Sequence, residues 1–211
     1  MGKIIAIFLI AISLWGDDFK EALEHYEQGD YKKAYELFYL LAKHGDVKSQ
    51  YNVALMTQKG QGVAADIKEA LEWYIKAAKQ GYGPAEFNIA RYYHSLAVDD
   101  SKMLIRAKEW YEKASKNGVI EAFTNLGLLY FEGSEEIPQD IKRGIDYLTM
   151  AADANDTKGQ LNLGVIYGWK EGVVNDKYKA HTYLQQALKN GEGEASGYLD
   201  RLCKESSWVC K

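Results

Sequence analysis

The sequence predicts an all-α solenoid of stacked helix pairs, and three observations carry that expectation. The first is a block that returns at a nearly fixed interval: Ala70-x-x-Trp73-Tyr74-x-x-Ala77-Ala78-x-x-Gly81, then Ala107-x-x-Trp110-Tyr111-x-x-Ala114-Ser115-x-x-Gly118. It continues as Gly144-x-x-Tyr147-Leu148-x-x-Ala151-Ala152-x-x-Asn155 and Ala180-x-x-Tyr183-Leu184-x-x-Ala187-Leu188-x-x-Gly191, so the starting positions differ by 37, 37 and 36. A fixed period of this size marks stacked repeats. The second observation is a companion pattern between the blocks, with apolar or small residues at i, i+4, i+5 and i+8, all on one side of a helix. The third is the presence of only 2 prolines in 211 residues, as a mostly helical chain requires.

The first residues differ from the rest. Lys3 precedes an apolar run from Ile4 to Leu14, and Asp17 and Asp18 follow. A positive start and an apolar run of about 7–15 residues describe a secretory signal peptide, and the run is short of the roughly 20 residues that span a bilayer. Ala11 and Ser13 offer a cleavage site before Leu14, and a cut after Gly16 is the alternative. No cysteine sits there to accept a lipid. Residues 1–16 are therefore read as a signal peptide, the mature protein as periplasmic or secreted, and a buried first helix as the competing reading.

Each repeat then has two halves. The first-helix pattern runs Ser49-x-x-x-Val53-Ala54-x-x-Thr57, Ala85-x-x-x-Ile89-Ala90-x-x-Tyr93, Ala122-x-x-x-Leu126-Gly127-x-x-Tyr130 and Gly159-x-x-x-Leu163-Gly164-x-x-Tyr167. The small central residue admits a neighbouring helix at close range. Loops such as Gly60-Gln61-Gly62-Val63 and Glu171-Gly172-Val173 link the halves, with the valine placed to tuck under the turn. Asp66, Asp140 and Asp176 sit four residues before the block's Ala or Gly, where aspartate caps a helix N-terminus. Asp66 and Glu69 have capping-box spacing. The regular phase of these aspartates makes them caps rather than catalytic acids, and the Trp73-Tyr74 type pairs are packing residues.

This pattern resembles the Sel-1-like repeat (SLR), a relative of the tetratricopeptide repeat. The 49–84 unit carries the resemblance in Gly60, Gly62, Val63, Asp66, Ala70, Trp73, Tyr74, Lys76, Ala77, Ala78 and Gly81. The 159–194 unit carries it in Leu163, Gly164, Tyr167, Gly172, Val173, Asp176, Lys179, Ala180 and Gly191. Two connections depart from it: His94-Ser-Leu-Ala-Val-Asp-Asp100 lacks the glycines, and Gly133-Ser-Glu-Glu-Ile137 is one residue longer. Gly29-Asp30-Tyr31-x-x-Ala34 with Leu37, Phe38, Leu41, Ala42 and Gly45 resembles a tetratricopeptide-type unit. The resemblance implies a right-handed α/α superhelical solenoid over 17–204. Its units are about 18–48, 49–84, 85–121, 122–158 and 159–194, with a cap helix at 195–204.

The two cysteines, Cys203 and Cys210, lie in the tail. An even count in an exported protein favours a disulfide that closes residues 205–211 and requires the last helix to stop near Ser206-Ser207. No Cys-x-x-Cys is present. His25, His44, His94 and His181 show no metal-ligand spacing, and no H-E-x-x-H, P-loop or G-x-S-x-G motif occurs. A formal net charge of −4 gives no footprint for nucleic acid. No metal or cofactor is expected, no membrane association after signal cleavage, and a monomer.

The chain is also similar to exported Hcp-type SLR proteins, some of which carry a beta-lactamase or penicillin-binding label. It lacks their per-repeat cysteine pair, having Ala78 and Ala85 or Leu188 and Ala195 instead, and it has no S-x-x-K, S-D-N or K-T-G. The expectation is a non-catalytic binding or adaptor protein with a protein or peptide partner. An immunity-type protein neutralising a toxic effector is the alternative, and a beta-lactamase the weaker one. By analogy with tetratricopeptide grooves, the candidate partner-binding residues are Lys48, Tyr51, Gln58, Phe87, Arg91, His94, Thr124, Phe131 and Arg201. Leu128, Leu161 and Val165 share that phase and are assigned to packing.

Overall fold

Aspartates decide where most of these helices begin. In the structure, a computed structural model that describes residues 17–210, Asp30, Asp46, Asp66, Asp140, Asp156 and Asp176 each accept a backbone N–H from the first turn that follows. The expected signal peptide at 1–16 lies outside the described residues. Regular structure among the described residues is entirely helical. It comprises α1 (17–27), α2 (Tyr31–Lys43), α3 (Val47–Lys59), α4 (Ile67–Ala78), α5 (Gly83–Leu96), α6 (Met103–Lys116), α7 (Ile120–Glu132), α8 (Ile141–Asp153), α9 (Thr157–Trp169), α10 (Lys177–Lys189) and α11 (Glu194–Glu205). A short 3-10 helix, Ser207–Cys210, follows. None of the described helices is long and apolar enough to cross a membrane.

The chain divides into two compact units at Ile89/Ala90. In the first, α3 packs on both α2 and α4. In the second, α6 to α11 pack each on the next, and the 3-10 helix rests on α10 and α11. Helices α3, α5, α7 and α9 start about two residues before the expected unit boundaries at 49, 85, 122 and 159. Two of the added caps, Asp46 and Asp156, account for the shift at α3 and α9. The caps predicted at Asp66, Asp140 and Asp176 form, but the reciprocal half of the Asp66–Glu69 capping box does not. The Asp66 N–H instead donates to the Thr57 carbonyl at 3.1 Å, and the Glu69 carboxylate accepts from the Trp73 indole at 3.4 Å. The same tie recurs from Asp140 to Tyr130 at 2.7 Å and from Asp176 to Tyr167 at 3.0 Å. It closes the loop of each pair onto the end of its own first helix.

The recurring block is the buried face of the second helix. Ala70, Trp73, Tyr74 and Ala77 are buried in the first unit, and Leu148, Ala151, Leu184 and Ala187 in the second. Small central residues let helices meet backbone to side chain: a methyl added at Gly127 would lie 2.6 Å from Leu148 Cγ, and one at Gly164 would lie 2.6 Å from Leu184 Cγ. Turns after the second helices take a left-handed residue, glycine in most units and Asn155 (φ 65°) in one, the non-glycine that tolerates this conformation best.

The two divergent connections differ for visible reasons. Helix α6 lacks a capping aspartate at its N-cap; Asp100 accepts the Lys102 N–H at 3.1 Å instead. In the longer loop, the Ser134 N–H donates to the Ile137 carbonyl at 2.7 Å, and Ile137 is buried where other repeats place a valine. Ser101 of one connection donates to Glu136 of the other at 2.9 Å.

Candidate partner-binding surfaces

The predicted residues do not all remain available to a partner. In the first unit, Lys48 and Gln58 are exposed and Tyr51 and Phe87 half-buried. Tyr51 is held edge-on by Tyr82 (5.3 Å between centroids), lies against Tyr74 (5.7 Å), and its hydroxyl accepts from Asn88 at 3.3 Å. Gln58 accepts the Tyr74 hydroxyl at 2.8 Å. In the second unit, Arg91 and Arg201 are exposed and His94 half-buried.

Two assignments are corrected. Phe131 is buried at 6% exposure in a cluster with Leu148, Ala152, Leu163 and Ile166. Thr124 is buried at 5% and donates to the capping Asp156 carboxylate at 2.6 Å. Both were placed on the groove because helical phase alone does not say how far the next helix reaches. Leu128 and Leu161 pack against core clusters, as expected.

His94 also turns inward. Its Nδ1 lies 3.2 Å from the Tyr111 hydroxyl. Burial holds the imidazole below its ordinary value of 6.5, with Glu132 pulling the other way. Burial likewise pushes the Tyr111 phenol up to about 12, against the opposing pull of Arg91. The lowered histidine gives a signed prediction. An unfolded chain protonates this imidazole through its ordinary range, while the folded chain resists until lower pH. Stability linked to His94 is therefore present above pH 6.5 and declines as pH falls below it. The urea midpoint should drop between about pH 7.5 and pH 5.5, and His94→Gln should shrink that drop. An equal drop in the variant would assign the effect to other groups.

Two features escaped the sequence reading. Buried glutamines one residue into the first-helix pattern tie neighbouring elements. Gln50 donates to the Ala42 carbonyl at 3.3 Å and accepts from Gln80 at 2.9 Å. Gln160 repeats this with Ala152 at 3.2 Å and Asn190 at 3.1 Å. The signal was their identical phase.

The second feature is a recurring cation on a tyrosine face, all within the second unit. The residue before the small residue that opens each block is basic: Arg106, Arg143 and Lys179, all exposed. Each lies over the tyrosine that ends the first-helix pattern. Arg106 is 5.5 Å from the Tyr93 centroid, Arg143 is 4.0 Å from Tyr130, and Lys179 is 4.9 Å from Tyr167. Tyr147 stacks on Tyr130 at 5.8 Å, and Glu112 lies 3.7 Å from Arg143. A hollow beside this cluster is lined by Glu112, Ser115, Lys116, Phe123, Arg143 and Tyr147. Nearer the C-terminus, Arg201 lies 4.7 Å from the Trp169 centroid, and Glu205 accepts from both, at 2.8 Å from Arg201 and 2.7 Å from the indole. These bonds, Arg201's first, hold the exposed Glu205 carboxyl below its usual range.

The tail turns back on the last helix. Helix α11 ends at Glu205, the chain turns at Ser206, and the Cα atoms of Cys203 and Cys210 come to 5.7 Å in a disulfide. His181, set aside in the sequence for want of metal-ligand spacing, has a ring nitrogen within 4.8 Å of both sulfurs.

The helix-pair geometry agrees with comparison to known proteins. The Sel1 repeat family matches at residues 25–46, 47–82, 83–119, 121–156 and 157–192. The chain belongs to the Sel1-repeat family. Its repeats begin where α3 and α5 begin, and within a residue of the starts of α7 and α9, rather than at the expected boundaries. Among solved structures it is similar to a Sel1 repeat protein from Oxalobacter formigenes, with 28% identity, a TM-score of 0.80, and coverage of 92% of this chain and 81% of that one. A protective antigen of uropathogenic Escherichia coli with the SLR fold matches at 23% identity and TM-score 0.80, over 95% of this chain and 44% of that one. An immunity protein of Pseudomonas aeruginosa shares the fold at 21% identity and TM-score 0.52, over 83% and 68%. The chain spans 16%, 4% and 10% of the lengths of three curated relatives that it matches. The Sel1-repeat solenoid is a fold that mediates protein–protein interaction.

Proposed function

We propose that this Sel1-repeat protein is an exported, non-catalytic binding protein whose second unit holds an acidic segment of a protein partner. The observation that carries the reading is the in-phase set Arg106/Tyr93, Arg143/Tyr130 and Lys179/Tyr167. An exposed cation resting on an aromatic face combines two side-chain types that dominate interface hot spots, and three cations in successive repeats complement carboxylates. The repeat's own packing does not demand the charge: the first unit has Glu69 and Thr57 at the equivalent positions. Export is supported by the Lys3-led apolar run and by the cysteine pair, which a reducing compartment would keep as thiols.

Affinity capture with the wild-type protein, followed by titration of the recovered partner, tests the surface. The triple variant Arg106→Ala, Arg143→Ala, Lys179→Ala should bind at least about tenfold more weakly and lose most of the salt dependence of binding. Unchanged affinity with intact helical content would remove this surface from the function. Export is tested separately, by the mass of protein recovered from the periplasm or medium: a mature chain beginning at Leu14 or Asp17 supports it, and an uncleaved chain overturns it. Nitrocefin turnover that copurifies with the folded protein would reverse the non-catalytic reading.

A further inference from the structure

We propose that Cys203, Cys210 and His181 form a redox-gated zinc site: a disulfide clamp when oxidised, and two thiolate ligands plus one imidazole ligand when reduced. The three ligand atoms lie within 4.8 Å of one another, and all three residues are half-buried. Two thiolates on one tetrahedral zinc sit roughly 3.8 Å apart, given Zn–S distances of about 2.3 Å. Opening the bridge therefore needs only rotation of two side chains whose Cα atoms are already 5.7 Å apart. Two cysteines, one histidine and a water complete the four positions that zinc favours.

The arrangement does not depend on the S–S bond to stay assembled. Val209, next to Cys210, is buried at 6% in the cluster formed by Ala180, Leu184, Ala187, Ala195 and Leu202. Its N–H donates to the Ser206 carbonyl at 3.1 Å, and the Ser206 N–H donates to Leu202 at 2.8 Å. Trp208 sets its ring edge-on against Tyr178 of α10, 5.0 Å between centroids. These contacts hold the 3-10 helix against α10, which carries His181, so reduction leaves the donors facing one another.

The chemistry balances with a dithiol as reductant. It gives two electrons and two protons to the Cys203–Cys210 bond, becoming a disulfide itself and leaving two thiols. Zinc then displaces two thiol protons to solvent and takes the His181 ring nitrogen as a neutral donor. Reoxidation passes the two electrons to a disulfide of higher potential, which takes two protons from solvent and becomes a dithiol, while the Cys203–Cys210 bond re-forms and the ion is released.

The test is zinc uptake by the purified protein, oxidised or phosphine-reduced, in competition with a chromophoric chelator. Reduced protein should take one zinc per chain and oxidised protein none. His181→Ala should weaken uptake by the reduced form at least about tenfold while helical content stays constant. Cobalt(II) in place of zinc should show thiolate-to-metal charge-transfer absorption with tetrahedral d–d bands, and Cys203→Ser should abolish the charge-transfer signal. Absence of uptake by reduced protein overturns the proposal, as does equal affinity in His181→Ala, or equal uptake by the oxidised form. None of these results bears on partner binding through Arg106, Arg143 and Lys179.

Discussion

Leu148→Ala should destabilise the protein by about 3 kcal/mol, among the largest effects of any single truncation in the second unit. Leu148 is fully buried in a cluster with Phe131, Ala152, Leu163 and Ile166, so its removal forfeits transfer free energy and leaves a void. The same side chain explains the glycine opposite. A methyl at Gly127 would lie 2.6 Å from Leu148 Cγ and 3.0 Å from Cδ2, so Gly127→Ala should cost about 1–2 kcal/mol, overpacking outweighing the helix-propensity gain of alanine. Combined, the two should not add. With the leucine branch gone, the new methyl occupies the space it vacated, and the double variant should be more stable than the sum of the singles by about 1 kcal/mol or more. Urea unfolding of the four proteins measures this coupling. Strict additivity would mean that Gly127 and Leu148 do not meet as described.

Gly144→Ala and Gly197→Ala should move stability in opposite directions, although both lie within helices. A methyl at Gly144 would meet backbone on the facing helix: Phe131 N at 2.7 Å, Phe131 Cα at 2.8 Å and the Gly127 carbonyl oxygen at 2.8 Å. Backbone cannot rotate aside as a side chain can, so α8 must draw away from α7, at a net loss of about 2–3 kcal/mol. Gly197 lies in α11 with no atom within 4 Å of such a methyl. There only the propensity term acts, and alanine should stabilise by about 0.5–1 kcal/mol. Thermal or urea unfolding of the two variants gives the signs directly. A Gly144→Ala protein as stable as the wild type would refute the close approach of α7 and α8.

Much of this architecture could be read from residue order because each repeat writes the same local physics again. Caps at Asp66, Asp140 and Asp176 form where their spacing placed them, since a cap depends only on the turn that follows. Trp73, Tyr74, Leu148 and Leu184 are buried because helical phase is a local property. The tail folds back at Ser206, as a helix bearing one cysteine must do to meet another seven residues on.

What sequence position alone did not reveal depends on distance between elements. Phe131 and Thr124 have the phase of groove residues, yet the neighbouring helix covers one and the Asp156 cap takes the hydroxyl of the other. Glu69 has capping-box spacing, but the Thr57 carbonyl captures the Asp66 N–H and leaves Glu69 to the Trp73 indole. The cation–tyrosine pairs and the meeting of His181 with Cys203 and Cys210 join residues 12–29 positions apart on different elements. The order of residues by itself determined the repeat, its caps and its buried block, because those are set within one or two helical turns. Which side chains are left to act was decided by the tertiary structure, because burial, competition for hydrogen bonds and donor convergence are properties of neighbouring helices rather than of any one of them.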